Sequence, residues 1–246
     1  CYRTAEEAHN LGTHRHVSQI QSLAERFDMA ITGLHLGVLC ENPSLIGPAG
    51  VIAQSQELIR QTIAVASELG QCDVVIPFWG RNRIELSKEF DTAWQAVAEL
   101  AQTAEDHGVV LAVDSSQHLG QIQQFLVECD SDWIKACVDT GDATACRHDA
   151  TSMIVGLGAS YLAQVHIKDV LVVTGLAPDF NVRLGRGDVR FRGVAHSLLD
   201  VGYDGWLVLE TPPGDDHGTI ASANVDFVRN LFRLRSSSQK GSAAIS

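Results

Sequence analysis

The chain has 246 residues, 45% of them hydrophobic, enough for a substantial core in one large domain or two small ones. A formal net charge of −12 and a pI of about 5.2 repel a phosphate backbone, which speaks against nucleic-acid binding. No apolar run reaches the roughly 18 residues that span a bilayer, so no membrane partner is expected, and the polar start CYRTAEEAHN has no signal-peptide pattern.

Cys1, Cys40, Cys72, Cys129, Cys137 and Cys146 form no CxxC pair. They read as reduced thiols of a cytoplasmic protein. In chain order, the first 28 residues read as helix, TAEEAHN and then THRHVSQIQSLAERFD. After them, short β-branched runs alternate with longer segments of helical period. Strand MAITGLHLG (29–37) leads to helix VIAQSQELIRQTIAVASELG (51–70), closed by Gly70. Strand DVVIPFW (73–79) leads to helix FDTAWQAVAELAQTAEDHG (90–108), closed by Gly108. Strand VVLAVDS (109–115) leads to helix HLGQIQQFLVE (118–128), and strand WIKACVDT (133–140) to a helix over 150–157. Strand LAQVHIKD (162–169), helix GVAHSLLDVGYDG (193–205) and strand WLVLET (206–211) follow. No linker divides residues 1–235, which read as a single domain, and SSSQKGSAAIS (236–246) reads as a disordered tail.

Strands alternating with helices imply an α/β fold with parallel pairing and right-handed crossovers. Neither GxGxxG nor GxxxxGK[ST] follows any strand, which weakens the nucleotide-binding open sheets. The polar residues discriminate further. Asp114 ends VVLAVD, Asp139 ends ACVD, His166 sits late in AQVH and Glu210 ends WLVLE. In a closed barrel such strand ends converge on one face, where active sites are built. In an open sheet they spread along a line. The expected fold is therefore a (β/α)8-type TIM barrel. Only six strands are legible, so incompleteness at the N-terminal side stays open.

The stretch QVHIKDVL (164–171) puts His166 and Lys168 on one face of a strand that is otherwise apolar. A bound cation compensates for a buried His166, and Lys168 pairs with a surplus carboxylate or a substrate oxygen. Three carboxylates and one imidazole form a hard, anionic set suited to Mn2+ or Mg2+. Taken singly, each residue has a plainer reading. Asp114 before Ser and Asp139 in DTG suit helix caps, and His166 suits a satisfied core position. Lys168 suits a salt bridge with Asp169 or a strand-end acid, Arg186 and Asp188 suit a mutual pair, and Trp79 suits core packing.

The run HIKD, followed by LGRGDVRFRGVAHSLLDVGYDGWLVLETPPGDD, resembles the sugar phosphate isomerase/epimerase superfamily of xylose isomerase-like barrels. The resemblance spans about residues 29–233 and is specific from about 135 onward. It implies one divalent metal, manganese first, with magnesium, cobalt or zinc as alternatives. The implied ligands are Asp114, Asp139, His166 and Glu210. Asp114 stands where the family usually has Glu, and Asp142 stands where it often has His or Asn. The implied activity is isomerisation or epimerisation of a small sugar by proton removal next to a carbonyl, with the cation holding the enediolate. Glu210 and Asp114 would be the acid/base pair. Lys168, Arg186, Trp79, Asp142 and His35 are the candidate substrate contacts. A lyase on the same scaffold, an inosose-type dehydratase or a C-glycoside deglycosidase, and a non-catalytic barrel subunit are the alternatives. Homo-oligomerisation stays open.

Overall fold

The computed structural model describes residues 14–41, 44–212 and 214–242. The segment TAEEAHN lies outside them. The chain divides into two compact units, Cys1–Cys137 and Val138–Ser246.

The first unit opens with helix α1 (His14–Arg26) and strand β1 (Gly33–His35), then α2 (Ala49–Glu68) and β2 (Asp73–Phe78). Helices α3 (Ser87–Ala98) and α4 (Ala101–His107) precede β3 (Leu111–Ser115), α5 (Leu119–Cys129) and the start of β4 (Ile134–Asp139). Strand order follows sequence order. The pairing is parallel, with Val75 opposite both His35 and Ala112, and Asp114 opposite both Pro77 and Cys137. Five of the six β2 residues are buried, as expected of a parallel strand covered on both faces. Ile76, Phe78, Leu111, Ile59, Ile63 and Leu100 are fully buried. Phe125 packs edge-on to Phe78 at 5.8 Å and to Phe90 at 5.9 Å.

The second unit begins with the last two residues of β4. It continues through α6 (Thr140–Ala145), α7 (Ala150–Leu157), β5 (Leu162–Ile167), α8 (Phe191–Asp200), β6 (Trp206–Leu209) and α9 (His217–Ser242). β5 and β6 are parallel, with His166 opposite Val208. Val165, Ile154 and Leu198 are buried among them, and Phe191 meets Phe227 edge-on at 5.3 Å. β6 is the less covered strand, with Trp206 51% exposed.

The six predicted strands all form, each shorter than its apolar run. The expected helix over 90–108 is two helices. Gln56 Nε2 donates to the Ala96 carbonyl at 2.9 Å, so the Leu100 amide bonds Val97 O instead and the helix restarts from Leu100. Gly70 and Gly108 follow their helices at φ +105° and +65°, the conformation a Cβ disfavours. α9 runs through Ser242, and residues 243–246 lie outside the described part.

Candidate metal and sugar site

Three ionisable residues of the second unit stand at or just after the C-terminal ends of its strands. Asp139 is the last residue of β4, His166 the penultimate residue of β5, and Glu210 follows β6 directly. Glu210 is seated there by its own amide, which donates to the Ile167 carbonyl at 3.2 Å. One ligand atom from each of the three lies within 4.8 Å of the others. His166 Nδ1 is 3.1 Å from Glu210 Oε2 and 3.9 Å from Asp139 Oδ2. Asp139 Oδ1 accepts the Asp142 amide at 2.7 Å, so the carboxylate also caps α6.

Lys168 stands among these acids. Its Nζ donates to Glu210 Oε1 at 2.9 Å and to Asp142 Oδ2 at 3.2 Å, and lies 3.8 Å from Asp139 Oδ2. The stem is held by the DTG turn. Thr140 Oγ1 donates to the Lys168 carbonyl at 2.7 Å and accepts its amide at 3.0 Å. Gly141 makes the close approach feasible, since a Cβ there would sit 2.9 Å from Lys168 Cγ. The Phe180 ring centroid lies 4.9 Å from Nζ. Residues 171–180 return to this spot because Leu171 and Asp179 exchange backbone hydrogen bonds of 2.9 and 3.0 Å.

The charges follow from the contacts. The Glu210 carboxyl is pulled down to about 2, chiefly by the hydrogen bond from His166 and then by Lys168, against the opposing effect of burial. Burial alone would lower the Lys168 ammonium, but Asp139, Asp142 and Glu210 outweigh it and raise its pKa. Asp142 is pushed up by burial, with Lys168 opposing. Three carboxyl groups, Asp139, Asp142 and Glu210, face one ammonium, and with the His166 ring they offer oxygen and nitrogen donors that fit a divalent cation of the Mn2+ or Mg2+ kind.

Of the residues singled out in the sequence, Asp139, Asp142, His166, Lys168 and Glu210 come together. Arg186 is exposed, and its amide is bound by Asp169 Oδ2 at 3.1 Å. Asp188 does not hold Arg186 in place of that contact; its Oδ2 accepts the Val172 amide at 2.7 Å. Asp114, Trp79 and His35 belong to the first unit. Asp114 is buried near the end of β3, close enough to Cys40 that its charge helps burial raise that thiol to about 11. Trp79 follows β2 with a buried indole Nε1, and His35 ends β1, half-buried.

Two residues were missed. Asp169 does not pair with Lys168. Its buried carboxylate accepts the amides of Val170, Gly185, Arg186, Gly187 and Val189 at 2.8–3.3 Å. The signal was present in GRG, because a Cβ at Gly187 would fall 2.4 Å from Asp169 Oδ1. Phe180 had no sequence signal beyond being an aromatic in a polar loop.

Comparison with known proteins agrees with the strand pattern. A curated relative from Actinoplanes sp., a 2-epi-5-epi-valiolone 7-phosphate 2-epimerase, is 24% identical over 228 residues, covering 91% of this chain and 80% of its own. The structure of an L-ribulose 3-epimerase superposes with a TM-score of 0.76 at 18% identity, covering 94% of this chain and 83% of that one. A xylose isomerase-like TIM barrel protein from Mycobacterium smegmatis, solved with magnesium, gives 0.70 at 17% identity, covering 90% and 79%. The model of the xylose isomerase-like TIM barrel family matches residues 3–231, and the chain belongs to that family.

Proposed function

We propose that the protein is a divalent-metal-dependent sugar isomerase or epimerase that moves a proton next to a carbonyl. The observation that carries this is the Asp139–His166–Glu210 cluster, with a ligand atom of each within 4.8 Å of the others at the ends of their strands. The epimerase activity in the name of the Actinoplanes relative supports the same reading. Asp139, His166 and Glu210 would hold the ion, with Asp114 the fourth ligand that the sequence implies. When bound, such an ion supplies Lewis acidity that makes a C–H beside a carbonyl easier to ionise.

The chain's own residues do the rest. Lys168 is fixed in place by Thr140 and kept charged by its acids, so it donates to a substrate oxygen. Glu210, with its side chain 48% exposed, is open to substrate and carries the proton on its carboxylate. While His166 and Lys168 both bond it, Glu210 is a weak base. It gains basicity as those donors turn to other acceptors. Asp142 keeps Lys168 oriented during that exchange.

The test is the purified protein with Mn2+ in deuterated water against D-fructose, an inosose and an oxidised glycoside, followed by NMR and mass. Deuterium taken up at carbon with no loss of mass supports the reading. Loss of water from an inosose, or of the aglycone from an oxidised glycoside, replaces it with a lyase. Glu210→Gln is expected to abolish exchange even at full metal occupancy, whereas Asp114→Asn keeps metal and part of the turnover. Equal and complete loss in both would show that the two carboxylates act together.

A further inference from the structure

Lys168 Nζ has neighbours of two kinds. Glu210 Oε1 at 2.9 Å and Asp139 Oδ2 at 3.8 Å belong to the residues that can hold an ion. Asp142 Oδ2 at 3.2 Å and the Phe180 ring, its centroid at 4.9 Å, stand outside that ligand set. A cation within about 6 Å of an aromatic centroid is attracted by the face of the ring. The ring takes none of the carboxylate oxygens, so this attraction persists when those oxygens serve another cation.

The chain holds Phe180 in place. Leu171 and Asp179 exchange backbone hydrogen bonds of 2.9 and 3.0 Å, and the Asp179 carboxylate accepts the Asn181 amide at 2.8 Å. Both sequence neighbours of Phe180 are therefore fixed. Residues 173–179 are exposed, Val173 by 47% and Leu176 by 69%, whereas Phe180 is half-buried. The loop leaves its larger aliphatic side chains in water and turns its aromatic one to the ammonium, which hydrophobic burial alone does not explain.

When Glu210 and Asp139 serve a divalent ion, Lys168 loses two of its acceptors, and the like charges repel. Its backbone stays clamped by Thr140, with Gly141 closely backing the stem, so the partners left within reach are Asp142 and Phe180. We propose that the Phe180 ring, together with Asp142, is the seat to which the Lys168 ammonium withdraws when a divalent ion binds. Phe180 is then a positioning residue. It lowers the cost of clearing the carboxylates and keeps the ammonium beside them to meet a substrate oxygen. The inference rests on the metal-binding reading of the cluster, and not on which sugar reacts.

The experiment is calorimetric titration with Mn2+ of the wild type, Phe180→Leu, Phe180→Met, Phe180→Tyr, Lys168→Met and the double variant Phe180→Leu with Lys168→Met, each checked for folding by circular dichroism. The expected Mn2+ affinity is about threefold to tenfold weaker in Phe180→Leu and Phe180→Met, within the range of a cation–π contact. Phe180→Tyr keeps the ring face and stays within about twofold of the wild type. In the Lys168→Met background, Phe180→Leu changes nothing, because the ring acts only through the ammonium. Unchanged affinity in both Phe180→Leu and Phe180→Met overturns the proposal. So does a loss of the same size with and without Lys168, which would make the ring a structural support of the ligands. A wild type that binds no Mn2+ overturns the metal reading and the seat together, whereas wild-type binding indifferent to Phe180 overturns the seat alone.

Discussion

Replacing Lys168 by Met keeps a stem of similar bulk against Gly141 and removes the ammonium that three carboxylates share. Its Nζ lies 2.9 Å from Glu210, 3.2 Å from Asp142 and 3.8 Å from Asp139, all within ion-pair range. A hydrogen bond to a charged group contributes about 1.5–3 kcal/mol, and the half-exposed Glu210 contact must be discounted for solvent screening. A net loss of about 2 kcal/mol in the metal-free protein follows, a fall in Tm of about 4–8 °C for a chain of this size. Divalent-ion affinity should move the other way. In the wild type an incoming ion competes with the ammonium for the same oxygens. If that competition costs one charge-assisted bond, its removal tightens binding about tenfold to a hundredfold. Calorimetric titration with Mn2+ reads the affinity, and melting with and without Mn2+ reads the stability. Saturating Mn2+ should raise the Tm of the variant more than that of the wild type. A folded variant with unchanged metal-free Tm and unchanged Mn2+ affinity would refute the idea that Lys168 serves as the cluster's internal counter-cation.

Gly141→Ala places a methyl 2.9 Å from Lys168 Cγ and 3.1 Å from its carbonyl oxygen, while Thr140 prevents the backbone from retreating; a loss of about 1–3 kcal/mol is expected in thermal melts. Asp169→Ala withdraws the acceptor shared by five loop amides, so cleavage within 183–189 in limited proteolysis should accelerate. For pH, Glu210 is depressed from 4.5 to about 2 in the folded chain. The stabilisation this brings is complete above the unfolded value and is lost as pH falls through the folded one. The Tm of the metal-free protein should therefore drop between about pH 4.5 and 2, and the drop should be shallower in Glu210→Gln.

The strand ends were legible because their signal is local. An apolar run with Asp139, His166 or Glu210 at or near its C-terminal end marks both the element and the polar end that a barrel turns toward its site. The pairing of Lys168 was half legible, since the sequence offered Asp169 or a strand-end acid as its partner. The structure chooses Glu210 and adds Asp142, and period-2 alternation shows why. His166 and Lys168 share one face, whereas Asp169 points the other way. The division of the 90–108 helix was not legible, because its cause, the Gln56 side chain, is 40 residues from the carbonyl it takes.

What stayed hidden in the candidate site has the same origin. Thr140 grips Lys168 across 28 residues, and Asp169 grips Gly187 across 18. Pattern reading along the chain does not join positions so far apart, yet the glycines left a trace. Gly141 and Gly187 both lie where another residue's side chain occupies the space a Cβ would need. Gly141 admits the lysine stem, and Gly187 admits the aspartate. DTG and GRG are therefore two halves of contacts whose other halves, Lys168 and Asp169, are adjacent in HIKD. The chain after β5 thus sends one side chain into the acid cluster and the next into the loop of residues 185–189. If that is the logic of the motif, Lys168→Met should alter metal affinity without loosening residues 183–189. Asp169→Ala should loosen those residues while leaving Mn2+ affinity nearly unchanged. Both effects appearing together in either variant would mean that the two sites move as one.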